Sequence, residues 1–323
     1  MYSPMQWTGR ARVAPALSHA ALPAPGHTAP PTLCHAGTAA PRRRVGARAC
    51  TLALAALTCA LLLPILPAHA DTVLITGANS GIGLEFARQY AARGWTVIAT
   101  HRRHDTPRTL AQLAARYPGV RIEHLDVTNV AEARALAARL AGMPIDVLIN
   151  NAGVYNDRSK CAADDDACPG DWSVESFGKL DYPLLDTIMA VNIKGPLVVS
   201  EAFYANVKAS ARRKIIAISS SNGTLTGEPT PNPRPGAIFY RMSKAALNRE
   251  MQIVAAATRR DGVTVLMLNP GPTLTEHQSY LEGKYPGMLK TSFTVENMIR
   301  TIDKATIADT GRFLRYDGQT EPW

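Results

Sequence analysis

A tyrosine four residues before a lysine puts phenol and ammonium on one helical face. The ammonium stabilises the phenolate, so the tyrosine becomes an acid usable near neutral pH. This 323-residue chain carries the pattern three times, at Tyr204/Lys208, Tyr240/Lys244 and Tyr280/Lys284. Placement separates them. Only Tyr240/Lys244 opens a helical stretch just after an apolar strand that ends in Ser219-Ser220-Ser221, whose hydroxyls could hydrogen-bond a developing oxyanion. Tyr204/Lys208 falls near the end of a helical stretch, and Tyr280/Lys284 lies in a polar segment with Gly283 and Pro286. Both of those pairs read as solvated surface residues.

A second constellation lies upstream. The strand Thr72–Thr76 runs into Gly77, Gly81 and Gly83, and a helix-forming segment, Leu84–Arg93, follows and stops at Gly94. A strand entering a helix through a turn without side chains exposes the helix's unpaired N–H groups, on which a pyrophosphate can sit.

The elements needed to position these groups alternate along the chain. Strand-like runs are Val73–Thr76, Val97–Thr100, Val120–Leu125, Val147–Asn150, Ile215–Ser219, Val263–Leu268 and Phe313–Tyr316. Helical stretches at 84–93, 107–116, 129–141, roughly 185–208, 240–260 and 294–307 fall among them. Short apolar strands without polar alternation are buried on both faces, as in parallel sheets. The expected fold is α/β: one doubly wound, Rossmann-type domain over 71–323 with a seven-stranded parallel sheet, binding its ligand at the strands' carboxyl ends. Asp126-Val127, Asn150-Asn151-Ala152-Gly153 and Asn269-Pro270-Gly271, followed by Thr275, stand at such ends. Asp126 could meet an adenine edge, Ala152 and Gly153 could let backbone approach a ribose, and Thr275 could reach a carboxamide or phosphate.

Residues 1–70 differ in kind. They hold six Arg, no Lys, no acidic residue and nine of the 23 prolines, so the +9 net charge belongs largely to this leader and the rest carries +3. No basic stripe interleaved with aromatics argues for nucleic acid. Arg42–Arg44 and Arg48, the apolar run Thr51–Leu66 and Ala68-His69-Ala70 resemble a secretory signal behind a disordered segment. Export to the periplasm or outside is the expectation, cytoplasmic residence the alternative if translation starts downstream; no stable membrane span is expected. Three of five cysteines lie in the leader. Cys161 and Cys168 flank the acidic run Asp164–Asp166 in one polar loop and are expected to pair, as an oxidising exterior permits, two free thiols being the alternative. No metal site is expected, because the nearby carboxylates lack a matching histidine.

Thr76-Gly77-x3-Gly81-x-Gly83, Asn150-Asn151-Ala152-Gly153, Asn192, Ser220, Tyr240-x3-Lys244 and Pro270-Gly271 occur in one order across 71–323, and together they resemble the short-chain dehydrogenase/reductase family. Tyr240–Asn248 and the closing Tyr316–Trp323 further resemble its C-signal-like and sniffer-like carbonyl reductases. The resemblance implies an oxidoreductase moving hydride between a nicotinamide and a carbonyl or secondary alcohol. Tyr240 would be the general acid, Lys244 would lower its pKa and bind ribose, Ser220 (with Ser219 its competitor) would hold the carbonyl oxygen, and Asn192 would support the helix and a water. The dinucleotide would lie along Thr76, Gly77, Asn79, Ser80, Gly81, Ile82, Gly83, Asp126, Val127, Asn151, Ala152, Gly153, Tyr240, Lys244, Pro270, Gly271 and Thr275. A homodimer or homotetramer paired through helices 192–208 and 240–260 is implied as well.

The second strand ends in Thr100-His101-Arg102-Arg103, with no carboxylate before Asp105. A planar guanidinium such as that of Arg102 pairs with a ribose 2′-phosphate, so NADP(H) is favoured over NAD(H). Two long insertions depart from the family pattern. One, between Gly153 and Asn192, holds the cysteine pair; the other, between Ser220 and Tyr240, carries Pro229, Pro231, Pro233 and Pro235 and reads as a stiff flap beside the reactive pair. The competing function is a nucleotide-binding sensor with little turnover.

Overall fold

The computed structural model describes residues 70–162, 165, 168–226 and 237–323. The leader, Asp164, Asp166 and the four flap prolines lie outside the described residues, and with them the signal-peptide and flap readings. Every described element belongs to one unit, Pro67–Trp323.

Seven strands form one parallel sheet: β1 (Thr72–Ile75), β2 (Thr96–His101), β3 (Val120–His124), β4 (Val147–Asn150), β5 (Lys214–Ile218), β6 (Thr264–Asn269) and, at the far edge, β9 (Phe313–Arg315). Their order in space is β3-β2-β1-β4-β5-β6-β9. The order reverses between β1 and β4, the switch point at which open α/β sheets bind their ligands. The seven apolar runs read from sequence are these seven strands, each shifted by two residues at most.

Strand alternation sorts the apolar side chains onto two faces. Val73, Ile75, Val97, Ile149, Ile216 and Leu268 pack with α1 (Gly81–Ala92), α2 (Arg108–Arg116) and α8 (Thr291–Lys304). Leu74, Ile98, Leu148, Ile215, Val265 and Met267 pack on the other side, against α3 (Val130–Arg139), α5 (Gly195–Ala202) and α7 (Ile238–Thr258). Both faces are apolar because both are covered.

Two features differ from the sequence reading. The expected helix 185–208 is α4 (Tyr182–Met189), a π-turn at Ala190–Lys194, α5 and α6 (Tyr204–Ala209), so the helical path is widened at Asn192. Such bulges turn a side chain out of the regular 3.6-residue register. A two-stranded parallel ladder, β7 (Thr273–Leu274) with β8 (Leu289–Lys290), frames the segment after β6. Tyr204, half-buried, and Lys208, exposed, meet at one surface carboxylate: the Tyr204 hydroxyl donates to Asp261 Oδ2, and Lys208 Nζ lies 2.8 Å from Asp261 Oδ1. That triad fastens α6 to the end of α7. Cys161 and Cys168 are disulfide-bonded, Cα atoms 5.9 Å apart.

Candidate active site

The switch point is stapled by its own side chains. Thr76 Oγ1, at the end of β1, accepts the amides of Asn151 and Ala152 at 3.0 Å each. Asn151 Nδ2 returns bonds to Thr76 O (2.9 Å) and Gly77 O (3.1 Å). Thr76 and Asn151, both expected at the dinucleotide, are thus spent on each other and hold the two turns in register. A Cβ on Gly83 would strike Gly77 O and Asn151 Nδ2, and Gly77 itself sits at φ 63°. Only glycine allows this helix to begin so close to the strand.

The N-terminus of α1 is open for an anion. Ser80 is its N-cap, extended and without a side-chain cap, and no acidic residue stands in its first turn. One group from elsewhere reaches it: Glu276 Oε2 accepts Gly81 N at 3.0 Å. Glu276 heads the short 3-10 helix Glu276–Leu281, whose N-cap is Thr275. The Thr275 methyl lies 3.5 Å from where a Gly81 Cβ would stand, and His277 Nε2 lies 3.4 Å from Ser80 Oγ. An uncapped helix end, a turn of glycines and a carboxylate already drawn to the first N–H fit the pyrophosphate of a dinucleotide.

Along the same edge, Arg102 is exposed after β2. Burial opposes ionisation of Asp126, yet hydrogen bonds from Thr128 and the Arg102 charge hold its carboxyl below the usual range. The Arg102 charge is thus within electrostatic reach of Asp126. Val127 packs its methyl under Gly195 of α5. Asn79 carries a bond from Thr109 Oγ1 of α2 to its carbonyl, at 2.7 Å. Gly271, at φ 70°, packs on the Tyr316 ring, and Pro270 O accepts Thr273 Oγ1.

The reactive group is built on α7. Tyr240 is half-buried on its first turn; Lys244, one turn on, is buried and donates from Nζ to Ile218 O at 2.8 Å. Nζ stands 5.6 Å from the centre of the Tyr240 ring. Burial lowers the Lys244 ammonium to about 8. Asn192, aimed by the π-turn, accepts Val154 N and donates to Val154 O, both at 2.7 Å, and donates to Ser243 Oγ at 2.9 Å. Ser243 Oγ in turn donates to Tyr240 O at 2.8 Å. Asn192 thereby ties the end of β4 to the helix of the pair.

The serines divide cleanly. Ser219 is buried and donates to Asn248 Oδ1 at 2.5 Å, so its hydroxyl is committed inward. Ser220 is half-buried and accepts Asn222 N at 3.1 Å, leaving its proton for another acceptor. The turn after Ser220 meets α7 through Gly223, where a Cβ would come within 2.6 Å of the Lys244 carbonyl carbon. Ser220, Tyr240, Lys244 and Asn192 are brought together at one edge. Tyr155 adds an aromatic wall, its ring centre 6.5 Å from that of Tyr240, 5.4 Å from Trp172 and 6.3 Å from His277.

Sequence reasoning missed Ser243, Asn248, Glu276 and Glu175. Ser243 had a signal: it lies three residues after Tyr240, on the same helical face. Glu276 had one too, directly following the expected Thr275, whereas Glu175 had none, since it reaches the site from a distant loop. Tyr280 and Lys284 do not share a helix, the 3-10 turn ending at Leu281. Among the described residues no cluster could hold a metal ion.

The short chain dehydrogenase family model matches residues 71–285. The chain belongs to that family. It is an NAD(P)-dependent oxidoreductase. It is 32% identical over 190 residues to the C-signal protein of Myxococcus xanthus, covering 59% of this chain and 99% of that one. It is 31% identical over 255 residues to the 1-hydroxy-2-glutathionyl-2-methyl-3-butene dehydrogenase of Rhodococcus sp. strain AD45, covering 78% of this chain and 100% of that one. The NADPH-bound carbonyl reductase from chicken fatty liver superposes with a TM-score of 0.67 at 29% identity, covering 79% of this chain and 100% of that one.

Proposed function

We propose that the protein is an NADP(H)-dependent carbonyl reductase, with Tyr240 as the general acid and base. The observation that carries this reading is the meeting of Tyr240, Lys244, Ser220 and Asn192 at the sheet edge that holds the open end of α1. A dinucleotide held at the open end of α1 would supply hydride to the carbonyl carbon. Ser220 Oγ, whose proton is uncommitted, donates a hydrogen bond to the carbonyl oxygen as negative charge grows there. Tyr240 Oη delivers the proton that completes the alcohol. Lys244 makes that phenol more acidic by its charge, while Asn192 and Ser243 fix the turn on which Tyr240 stands. In alcohol oxidation each proton moves in reverse.

Arg102, exposed after β2 and within electrostatic reach of Asp126, supports NADP(H) over NAD(H); a ribose 2′-phosphate would meet its guanidinium. The NADPH bound by the chicken liver enzyme supports the same choice. Exposed Leu197, Met242 and Ile253 on α5 and α7 support pairing of subunits through those helices. The Cys161–Cys168 bridge supports an oxidising compartment and so the secretory reading of residues 1–70, with the catalytic domain over 71–323. Among the described residues no helix is long and apolar enough to cross a membrane.

The test is turnover: NADPH oxidation against a panel of aldehydes, ketones and diketones, and NADP⁺ reduction against secondary alcohols. Loss of turnover in Tyr240→Phe with NADPH binding retained is the expected result. An active Tyr240→Phe enzyme would refute the assignment. Tight NADPH binding by wild type without turnover of any carbonyl would favour the sensor.

A further inference from the structure

Helix α7 starts without a cap of its own. Its N-cap is Ala237, at φ 57°, with no side-chain hydrogen bond to the first turn. Alanine has no oxygen to accept a first-turn N–H and none of glycine's ease at positive φ. Arg241 N makes the first bond back along the chain, to Ala237 O. The amides of Phe239 and Tyr240 have no acceptor within the helix. Tyr240 N donates instead to Glu175 Oε2 at 3.1 Å, and Phe239 N is near enough to favour the ionised carboxyl.

Glu175 lies 65 residues upstream and is completely buried. The longer insertion brings it there. Asp157 and Asp171 pair as an antiparallel bridge, Asn156 Nδ2 donates to Pro169 O at 2.6 Å, and the disulfide closes the tip. Asp171 Oδ1 then accepts the amide (2.8 Å) and hydroxyl (2.7 Å) of Ser173, which begins the 3-10 turn Ser173–Glu175.

We propose that Glu175 is the positioning residue for Tyr240: the disulfide-closed insertion carries in a carboxyl that replaces the missing cap of α7 and holds the turn from which the phenol is aimed. The inference rests on the reading of Tyr240 as proton donor. Burial raises the Glu175 carboxyl above the ordinary range, offset in part by the nearby Tyr240 and Phe239 amides. Either protonation state presents Oε2 as an acceptor, so the cap does not depend on charge. Oε1 is buried without a partner, and the amide of a glutamine would take its place with no bond lost.

The experiment uses the full chain, with isatin and benzaldehyde as probe carbonyls, NADPH affinity by fluorescence titration, and amide exchange at Phe239 and Tyr240. Glu175→Ala should lower kcat about 10- to 100-fold, the cost of a misplacement near 1 Å. Its NADPH Kd should be unchanged, and both amides should exchange faster. Glu175→Gln should restore kcat and amide protection together, a rescue that loss of stability alone would not produce. Wild-type kcat in folded Glu175→Ala, or equal damage in Glu175→Gln, would overturn the proposal. If Glu175→Ala does not fold, Glu175→Gln and the wild-type exchange rates decide, fast exchange at Phe239 and Tyr240 counting against it. Tyr240→Phe in parallel separates the two claims: an active Tyr240→Phe sinks the proton-donor reading, whereas an inactive one beside a fully active Glu175→Ala sinks only the positioning role.

Discussion

The two ends of the sheet treat buried polar groups in opposite ways. At the amino ends of the strands, Asp146 Oδ2 accepts Thr72 N at 2.9 Å, and Arg212 binds Asp71 at 2.6 Å and Asp303 at 3.4 Å. Lys214 gives its ammonium to Ile302 O and Asp303 O, the last carbonyls of α8. Among the described residues only the buried Tyr90 hydroxyl lacks a partner at this end. At the carboxyl ends, Thr100 Oγ1, His101 Nδ1, Glu175 Oε1 and Asn248 Nδ2 are buried without partners. Lys244 has one carbonyl, and the first turn of α1 has one borrowed carboxylate. The closed network ties helix ends to strands. The open one keeps bonding capacity for a ligand, at some cost in stability.

Two buried lysines make the contrast breakable. The largest effect belongs to the open end. Tyr240→Phe should cut carbonyl reduction by about 10²- to 10⁴-fold, the usual worth of a general acid, in steady-state assays. Lys244→Met should be inactive as well, yet as stable as wild type at neutral pH or more so. Burial lowers Lys244 to about 8 from 10.5, so between those values the unfolded chain binds more protons than the folded one. Stability from this group therefore rises as pH climbs from about 8 towards 10.5. Denaturant melts across that window should show the rise in wild type and not in Lys244→Met.

Lys214→Met should do the reverse. Two buried carbonyls lose their donor, costing about 1–3 kcal/mol in denaturant melts, with kcat unchanged. A kcat loss in Lys214→Met matching that of Lys244→Met would erase the distinction between the ends.

Smaller effects sharpen the open end. Arg102→Ala should weaken NADPH far more than NADH, shrinking the ratio of their Kd values by about tenfold, the scale of one charge-assisted pair. A ratio already near one in wild type would remove Arg102 from the cofactor reading. Glu276→Gln should tighten NADPH binding by a few-fold, since the helix end favours an anion by about 0.3–1 kcal/mol and two anions compete for it. Weaker binding in Glu276→Gln would show that Glu276 helps the cofactor instead.

Strands, glycine turn and the Tyr240/Lys244 pair were legible in the sequence because each is a local pattern. An apolar run of a few residues declares burial on both faces, and a four-residue spacing declares a shared helical face. The single helix expected over 185–208 failed for a matching reason: apolar periodicity does not reveal one extra residue wound into a π-turn. Asp261, which joins Tyr204 and Lys208 at the surface, was not legible because it is distant in the chain.

Sequence alone determined the parallel α/β domain, its family, the order of its strand-end motifs and which cysteines could pair. Tertiary structure decided which serine has a free proton, that Thr76 and Asn151 are staples, and which carboxyls stand at the two helix ends. Glu175 and Glu276 reach α7 and α1 across 65 and 195 residues. A bond between groups so far apart leaves no periodic mark, because only the packing of the sheet's two covered faces sets its distance.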